Sequence, residues 1–444
     1  MSTARTICLG FLGVILVGAL LLLLPIATSD RSWGNFITAL FMSTSAVCVT
    51  GLAVVDPGSY YSFFGQATLL LLLQIGGLGY MTATTFLLLL IGRRFSLREK
   101  VTLQESLDTT GIRNGVPLVK SIMTVTLLLE SLGVFLLMPE FSQRFDWARS
   151  LWLSVFHSVS AFNNAGFSLF PDNLIGYVHS PLVNLTITGL IILGGIGYQV
   201  ILEIYLWALN RLKRSRSKFY FSLNTKVAIS TTAILLVVGT LGLWLAEFRN
   251  SRTIANFDTG EQLLAAWFQS VTSRTAGFNT IDNGVMSLPA LFLTIVLMFI
   301  GASPGGTGGG IKTTTLRVLT NCTHTALQGE EAVHIYNREV PGVLILKAIG
   351  VVVGSLFTVM AATILMLVTE PTIDFVKILF EVVSAFGTVG LSTGITAKIS
   401  WAGQLVLITT MYIGRVGVLL LIGAIFGETR RKLVKYPEET LLVG

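Results

Sequence analysis

The chain has 444 residues, 52% of them apolar and only 12% charged, with a formal net charge of +7 and a mean hydropathy of +0.76. A soluble domain carries about 25% charged residues, so this composition excludes a soluble enzyme and a disordered tail and assigns the chain to a bilayer. Three cysteines, odd in number and far apart, and four histidines without an H-E-x-x-H spacing give no disulfide framework and no metal cluster.

A helix needs roughly 20 apolar residues to cross the hydrocarbon core. Such runs occur near 7–27, 66–91, 118–138, 182–207, 226–246, 343–368 and 402–426, with an interrupted one from 287 to about 320, which predicts eight crossings. The first follows a single basic residue, Arg5, and is too long for a signal-peptide core. Lys and Arg near the ends of crossings mark the cytoplasmic side. Segments 92–120 and 208–226 hold six each, 311–347 and the C-terminus four each, and the N-terminus one, so 21 of the 30 basic residues fall on one side. Both termini are therefore expected in the cytoplasm, and the positive charge reflects loop orientation, not a nucleic-acid surface.

The connections on the opposite side each hold a half-length apolar segment followed by a turn of small residues. They read Ser45-Ala-Val-Cys-Val-Thr-Gly51, Ser160-Ala-Phe-Asn-Asn-Ala-Gly166, Val271-Thr-Ser-Arg-Thr-Ala-Gly277 and Ser384-Ala-Phe-Gly-Thr-Val-Gly390, with final glycines 115, 111 and 113 residues apart. The helix after each turn repeats a second signature: Ile75-Gly76-Gly77, Leu193-Gly194-Gly195, Ile300-Gly301-Ala302 and Ile413-Gly414-Arg415. Self-similarity at a fixed period predicts an all-α polytopic membrane protein. Its four tandem units of helix, re-entrant pore helix and helix stand in pseudo-fourfold arrangement around one pore, and divide as 1–100, 101–215, 216–335 and 336–444.

A half-helix of about 10 to 14 residues cannot span and reads as re-entrant. Non-helical backbone at membrane depth is tolerated only where protein buries it or where it lines a watery cavity. Four such turns therefore converge on a shared axis, where rings of peptide carbonyls can replace the water shell of a potassium ion. Glycine relieves the backbone angles this demands, and the negative ends of the half-helix dipoles face the cation path. The candidate ion-binding residues are Val49, Thr50 and Gly51 in the first turn, Asn164, Ala165 and Gly166 in the second, Thr275, Ala276 and Gly277 in the third, and Thr388, Val389 and Gly390 in the fourth.

With Thr50-Gly51-Leu-Ala-Val-Val-Asp56, Phe162-Asn-Asn-Ala-Gly166-Phe, Arg274-Thr-Ala-Gly277-Phe-Asn279 and Phe386-Gly-Thr-Val-Gly390-Leu, the chain resembles the Trk/Ktr/HKT superfamily of potassium transporters. Within it the match is strongest to the KtrB-type membrane subunit of bacterial Ktr potassium uptake systems, over nearly the whole length. The resemblance implies potassium transport across the plasma (inner) membrane through these four turns, with sodium as a candidate co-ion. Plant relatives that favour sodium often replace the first glycine with serine, so Gly51 argues for potassium. The resemblance also implies a homodimer resting on a cytosolic ring of nucleotide-binding regulatory subunits of KtrA type, with Tyr436-Pro-Glu-Glu-Thr-Leu-Leu-Val-Gly444 at the dimer interface. This chain itself is expected to bind no cofactor and no nucleic acid.

The third unit's second helix is interrupted by Gly301, Ala302, Ser303, Pro304, Gly305, Gly306, Thr307, Gly308, Gly309 and Gly310, followed by Ile311 and Lys312. One proline and six glycines break a helix. The segment starts where the other units carry pore-side glycines, so it is expected just below the turns, and the resemblance makes it an intramembrane gating loop. Arg415 takes the aligned place of Gly77, Gly195 and Ala302. It is expected to face the axis as part of a barrier to cations; the bland alternative is an ion pair with Glu130, Glu203 or Glu381.

His157 and Glu381, each nine residues before its turn glycine, are expected to buttress the turns from behind. Cys48 is expected to pack, and Asn163, Asn164, Thr275 and Thr388 to hold the turns by hydrogen bonds. Two glycine clusters are false friends. Residues 306–313 make no phosphate loop, because Ile311 stands where glycine must precede the lysine; residues 76–79 and 194–197, placed inside apolar helices, make no dinucleotide fingerprint. An alternating-access secondary cation transporter is the competing reading, although such folds usually show two repeats with paired broken helices. Without a nucleophile–base constellation the chain is not expected to be an enzyme.

Overall fold

A computed structural model of the chain describes residues 3–79, 115–213, 219–330 and 332–426. Most of the basic residues counted in 92–120, the expected boundaries near 100 and 215, and the terminal segment 436–444 lie outside the described residues. The architecture is helical and polytopic, with four repeats of long outer helix, buried half-helix and inner helix arranged around a common centre.

The outer helices are Thr3–Leu23, Gly115–Phe141, Leu223–Glu247 and Gly342–Thr369. Each contains an apolar stretch long enough to cross a membrane. They turn Leu20, Phe135, Val237 and Phe357 outward, where an aqueous protein would bury them. The half-helices Phe36–Val47, Trp147–Phe162, Thr259–Thr272 and Phe375–Phe386 are the reverse. Phe41, Met42, Phe156, Phe162, Phe268 and Phe380 are fully buried at the centre. Asn35, Asp146 and Asp258 start three of these half-helices by accepting from first-turn amides, a cap that contributes about 1 kcal/mol.

Lipid tails are as apolar as leucine, so helix association here rests on close approach and polar contacts. One device recurs in three units. Ser43, Ser158 and Ser270 of the half-helices donate to the carbonyls of Ile15, Glu130 and Leu236 at 2.7, 2.7 and 3.1 Å. Three residues further along each outer helix stands a glycine, Gly18, Gly133 or Gly239, where a side chain would collide with that same serine hydroxyl.

The inner helices are Phe63–Leu78, Pro181–Gly195, Leu288–Phe299 and Trp401–Val416. All four begin with a serine cap, Ser62, Ser180, Ser287 or Ser400, whose hydroxyl accepts from the third residue on. Two of the eight expected crossings, the runs at 182–207 and 402–426, are corrected at this point, because neither is one straight helix. Pro181–Gly195 bends by 103° into Tyr198–Leu212, and Trp401–Val416 bends by 95° into the following apolar helix Val418–Phe426. The hinges are Gly197 and Gly417, with φ of 98° and 89°, and Gly79 ends the first inner helix with φ 79°. In this left-handed region glycine is the residue of choice, so the last glycine of each cluster at 76–79 and 194–197 marks the point where a helix breaks. Hydropathy reads on through such a bend because the residues beyond it are equally apolar.

In the third unit the inner helix stops at Phe299 and the chain re-enters a helix only at Thr313–Gln328. A hairpin pairs His334–Ile335 with Arg338–Glu339, its Tyr336 and Asn337 both left-handed, before the fourth outer helix. The last unit closes on the first: Tyr412 Oη donates to the Cys8 carbonyl at 2.8 Å and Arg5 Nε to the Ala424 carbonyl at 2.7 Å.

Candidate functional site

Each half-helix ends in a turn with one repeated backbone pattern. Val49, Asn164, Thr275 and Thr388 have φ of 57°, 57°, 66° and 48°, and the glycines two residues on, Gly51, Gly166, Gly277 and Gly390, have 92°, 68°, 79° and 93°. Left-handed residues alternating with ordinary ones point successive carbonyls to the same side of the strand. A left-handed non-glycine residue costs about 1–2 kcal/mol, and three of the four here are β-branched, the least tolerant type. Glycine-spotting in the sequence finds only half of this pattern.

The four turns form a closed ring in chain order. A Cβ built on Gly51 runs into the Ala165 carbonyl oxygen, one on Gly166 into that of Ala276, one on Gly277 into that of Val389, and one on Gly390 into that of Thr50. Each expected turn residue thus lies at one common centre. Glycine is required there twice over, by its backbone angle and by its neighbour's oxygen.

The ring is tied from behind. Ser45 and Ser384 accept the amides of Gly51 and Gly390 through their hydroxyls at 3.0 and 3.1 Å, while Ser160 Oγ donates to the Phe167 carbonyl at 2.8 Å. In the third unit the spacing aligned Val271 with these serines, but Thr272 does the work, its Oγ1 donating to the Phe278 carbonyl at 2.6 Å. That turn is one residue shorter between hydroxyl and glycine, a slip invisible when counting back from the glycine.

His157 and Glu381 occupy the buttressing places expected of them. The His157 ring bonds the Leu153 carbonyl and Ser168 Oγ at 2.8 and 2.9 Å. Glu381 accepts from Ser392, from the Thr393 amide at 3.3 Å and from Thr396 at 3.1 Å, fixing the strand that leaves the fourth turn. Asn163 donates to Gln74 and Glu130 at 2.8 and 3.1 Å, and Asn164 turns its amide nitrogen to the carbonyls of Ile191 and Ala161. Cys48 is fully buried. Thr275 departs from expectation: its buried hydroxyl has no partner among the described residues, so the side-chain tie of that turn comes from Thr272 instead.

On one side of the ring lies a cavity of about 270 Å³, lined by Gly51, Asp56, Gly166, Ser168 and Asn173 among others. On the other side sits the glycine-rich loop. Its neck is closed by Gly301 N donating to the Ile311 carbonyl at 2.8 Å and by the Ser303–Thr313 hydroxyl pair at 2.9 Å. Its body rests on the second unit, where the Ser303 and Thr307 amides donate to the Gly195 and Gly194 carbonyls at 3.0 and 3.1 Å. Gly309 N reaches Thr388 Oγ1 of the fourth turn at 3.1 Å. Gly308 packs so tightly on Thr275 that no side chain fits there.

Cations hold this loop by its carbonyls. Arg415 donates through one guanidinium nitrogen to the Thr307 carbonyl and through another to that of Gly76 in the first unit. Lys312 Nζ donates to the Gly308 carbonyl at 2.8 Å. The structural alternative for Arg415, an ion pair with Glu130, Glu203 or Glu381, is not formed among the described residues. Sequence reading missed two members of the site. Arg274 donates to the Gly301 carbonyl at 3.3 Å, and Tyr198 gives its backbone amide to Gly305 at 3.2 Å. Arg274 stands between Ser273 and Thr275, so the apolar flanks that singled out Arg415 are missing; its place inside the third turn is the signal that could have found it.

Comparison with known proteins follows the same lines. The chain is 39% identical over 441 residues to the Ktr system potassium uptake protein B of Bacillus subtilis, covering 99% of this chain and 96% of that one. Identity to the protein of that name from Vibrio alginolyticus is 41%, covering 99% and 94%. Against the potassium/sodium uptake protein NtpJ of Enterococcus hirae it is 35%, covering 100% and 98%. Among solved structures, the potassium transporter TrkH from Vibrio parahaemolyticus shares the fold with a TM-score of 0.71 at 19% identity, over 94% of this chain and 84% of that one. Residues 14–425 match the family described as TrkH: Cation transport protein, and the chain belongs to that family.

Proposed function

We propose that this chain is the ion-conducting subunit of a Ktr-type potassium uptake system, with the ring of turns as selectivity filter and the loop at 301–310 as gate. The observation that carries the reading is the closed ring of four left-handed turns, each glycine set against the next unit's carbonyl oxygen. A potassium ion leaving water for the 270 Å³ cavity meets peptide oxygens from four sides, which substitute for its hydration. Val49, Thr50, Asn164, Ala165, Thr275, Ala276, Thr388 and Val389 supply or space those oxygens.

Passage beyond the ring is blocked by the loop, so conduction requires the loop to leave. Arg415 acts as its clasp, joining the third unit's loop to the first unit's inner helix, and as a fixed positive charge on the ion path. Close relatives are named for potassium uptake, one of them for potassium and sodium, which supports potassium as cargo with sodium as co-ion. The same names, those of one protein of a system, support a regulatory partner; we assign this to a nucleotide-binding ring of KtrA type beneath a homodimer in the plasma membrane, with both termini in the cytoplasm. The four pore units divide as 1–100, 101–215, 216–335 and 336–444.

The test is rubidium and potassium uptake by a host lacking its own potassium uptake systems, with and without sodium. Wild-type chain is expected to restore growth at low potassium, and Gly51→Ser to erode discrimination against sodium. Intact discrimination in that variant removes the filter assignment.

A further inference from the structure

Behind each turn lies an equivalent slot, bounded by the half-helix end, the outer helix of the same unit and the inner helix of the preceding one. Counting from the repeated glycines, the residue two before Gly76, Gly194, Gly301 and Gly414 points to this slot: Gln74, Ile192, Phe299 and Tyr412. In the second unit the slot is filled by polar side chains, Asn163 donating to both Gln74 and Glu130. In the fourth Phe299 stacks toward Phe386 with ring centres 6.1 Å apart. In the first Tyr412 fills it and bonds the Cys8 carbonyl.

The third slot is different. Its aligned residues are Ile192 in place of Gln74, Leu236 in place of Glu130 and Arg274 in place of Asn163. The cation therefore meets two apolar side chains where Asn163 meets two acceptors, and its side-chain bond among the described residues is to the Gly301 carbonyl. A cavity of about 20 Å³ remains, lined by Asn164, Ile192, Thr232, Leu236 and Arg274. Arg274 Nε and Thr232 Oγ1 are buried without a hydrogen-bond partner among the described residues, and both side chains are more than nine-tenths buried. With the Asn164 nitrogen committed to Ile191 and Ala161, its oxygen is left to accept.

We propose that one ordered water occupies this slot, accepting from Arg274 Nε, bonded to the Thr232 hydroxyl and donating to Asn164, and that it sets the spacing of the second and third filter turns. The volume decides for water, which needs roughly 10–15 Å³ of such space and two to four polar partners. Its partners stand at the ring itself: Asn164 is the left-handed residue of the second turn, and Arg274 directly precedes that of the third. Thr232 is thereby a positioning residue for selectivity that touches no ion. The water itself is independent of the transport reading; only its effect on selectivity rests on the filter assignment.

Two measurements test it. A high-resolution experimental structure of the wild-type chain grown in bromide is expected to show a solvent peak within hydrogen-bond distance of Arg274, Thr232 and Asn164 and no anomalous bromide signal there. An unfilled slot, or a bromide peak marking a counter-ion, overturns the water. For selectivity, Thr232→Val keeps the shape and removes the hydroxyl, and is expected to lower potassium-over-sodium discrimination several-fold, whereas Thr232→Ser keeps it. Adding Ile192→Gln, which restores the acceptor found in the neighbouring slot, is expected to rescue the valine variant. Wild-type discrimination in Thr232→Val, or equal loss in the serine variant, overturns the positioning role.

Discussion

The ring of turns and the loop beneath it are both glycine-rich, non-helical and at membrane depth, yet they are held in opposite ways. The ring is fastened by neutral hydroxyls and amides of its own unit, such as Ser45 on Gly51 and Ser384 on Gly390, and its glycines have no room for a Cβ. The loop is fastened by its neighbours, through Gly194 and Gly195 of the second unit, Thr388 and Arg415 of the fourth and, across Arg415, Gly76 of the first. A structure tied within its own unit keeps its shape when neighbours shift; one closed at its neck but resting its body largely on neighbours changes when they do. The first suits a filter, the second a gate.

Four substitutions probe that contrast, in falling order of effect. Gly390→Ala strikes the ring, where a left-handed angle costs about 1–2 kcal/mol for a non-glycine residue before any collision with the Thr50 oxygen is counted. Strain of that size lowers the population of the native turn roughly tenfold, with a matching loss of flux, and uptake near wild type in rubidium flux assays sinks the ring. Arg415→Ala releases the loop. Charge-assisted bonds contribute about 1.5–3 kcal/mol each, so uptake at low external potassium is expected to rise several-fold, and unchanged uptake removes the clasp. Lys312→Met removes the bond to the Gly308 carbonyl and is expected to raise basal flux in the same assay by less than Arg415→Ala does. A larger rise would move the main clasp to Lys312. Smallest is Ser384→Ala, which deletes one hydrogen bond of about 1 kcal/mol. It should lower thermal stability and blunt potassium discrimination without opening the gate, and increased basal flux would show that the ring and loop are not separately held.

The repeat, the four turns and the loop were legible because glycine and proline carry their backbone meaning in the letter itself. The left-handed angles of Val49, Thr275 and Thr388 were not, since β-branched residues argue against them and only the surrounding ring imposes them. Helix bends at Gly197 and Gly417 escaped hydropathy, which registers polarity and not direction. Thr272 escaped because a one-residue deletion in the third turn shifts the hydroxyl against the glycine. The partners of Arg415 escaped for another reason: Thr307 and Gly76 lie 108 and 339 residues away, and they offer backbone oxygens that no side-chain pattern reveals.

The ring closes only where the last unit meets the first, at Gly390 against Thr50, Tyr412 against Cys8 and Arg415 against Gly76. A nascent chain released before its final quarter has three of the four units and no seam, so it holds neither the closed ring of carbonyls nor the Arg415 bridge. Premature termination should therefore yield a lipid-embedded but electrically silent product, sparing the host an unregulated leak.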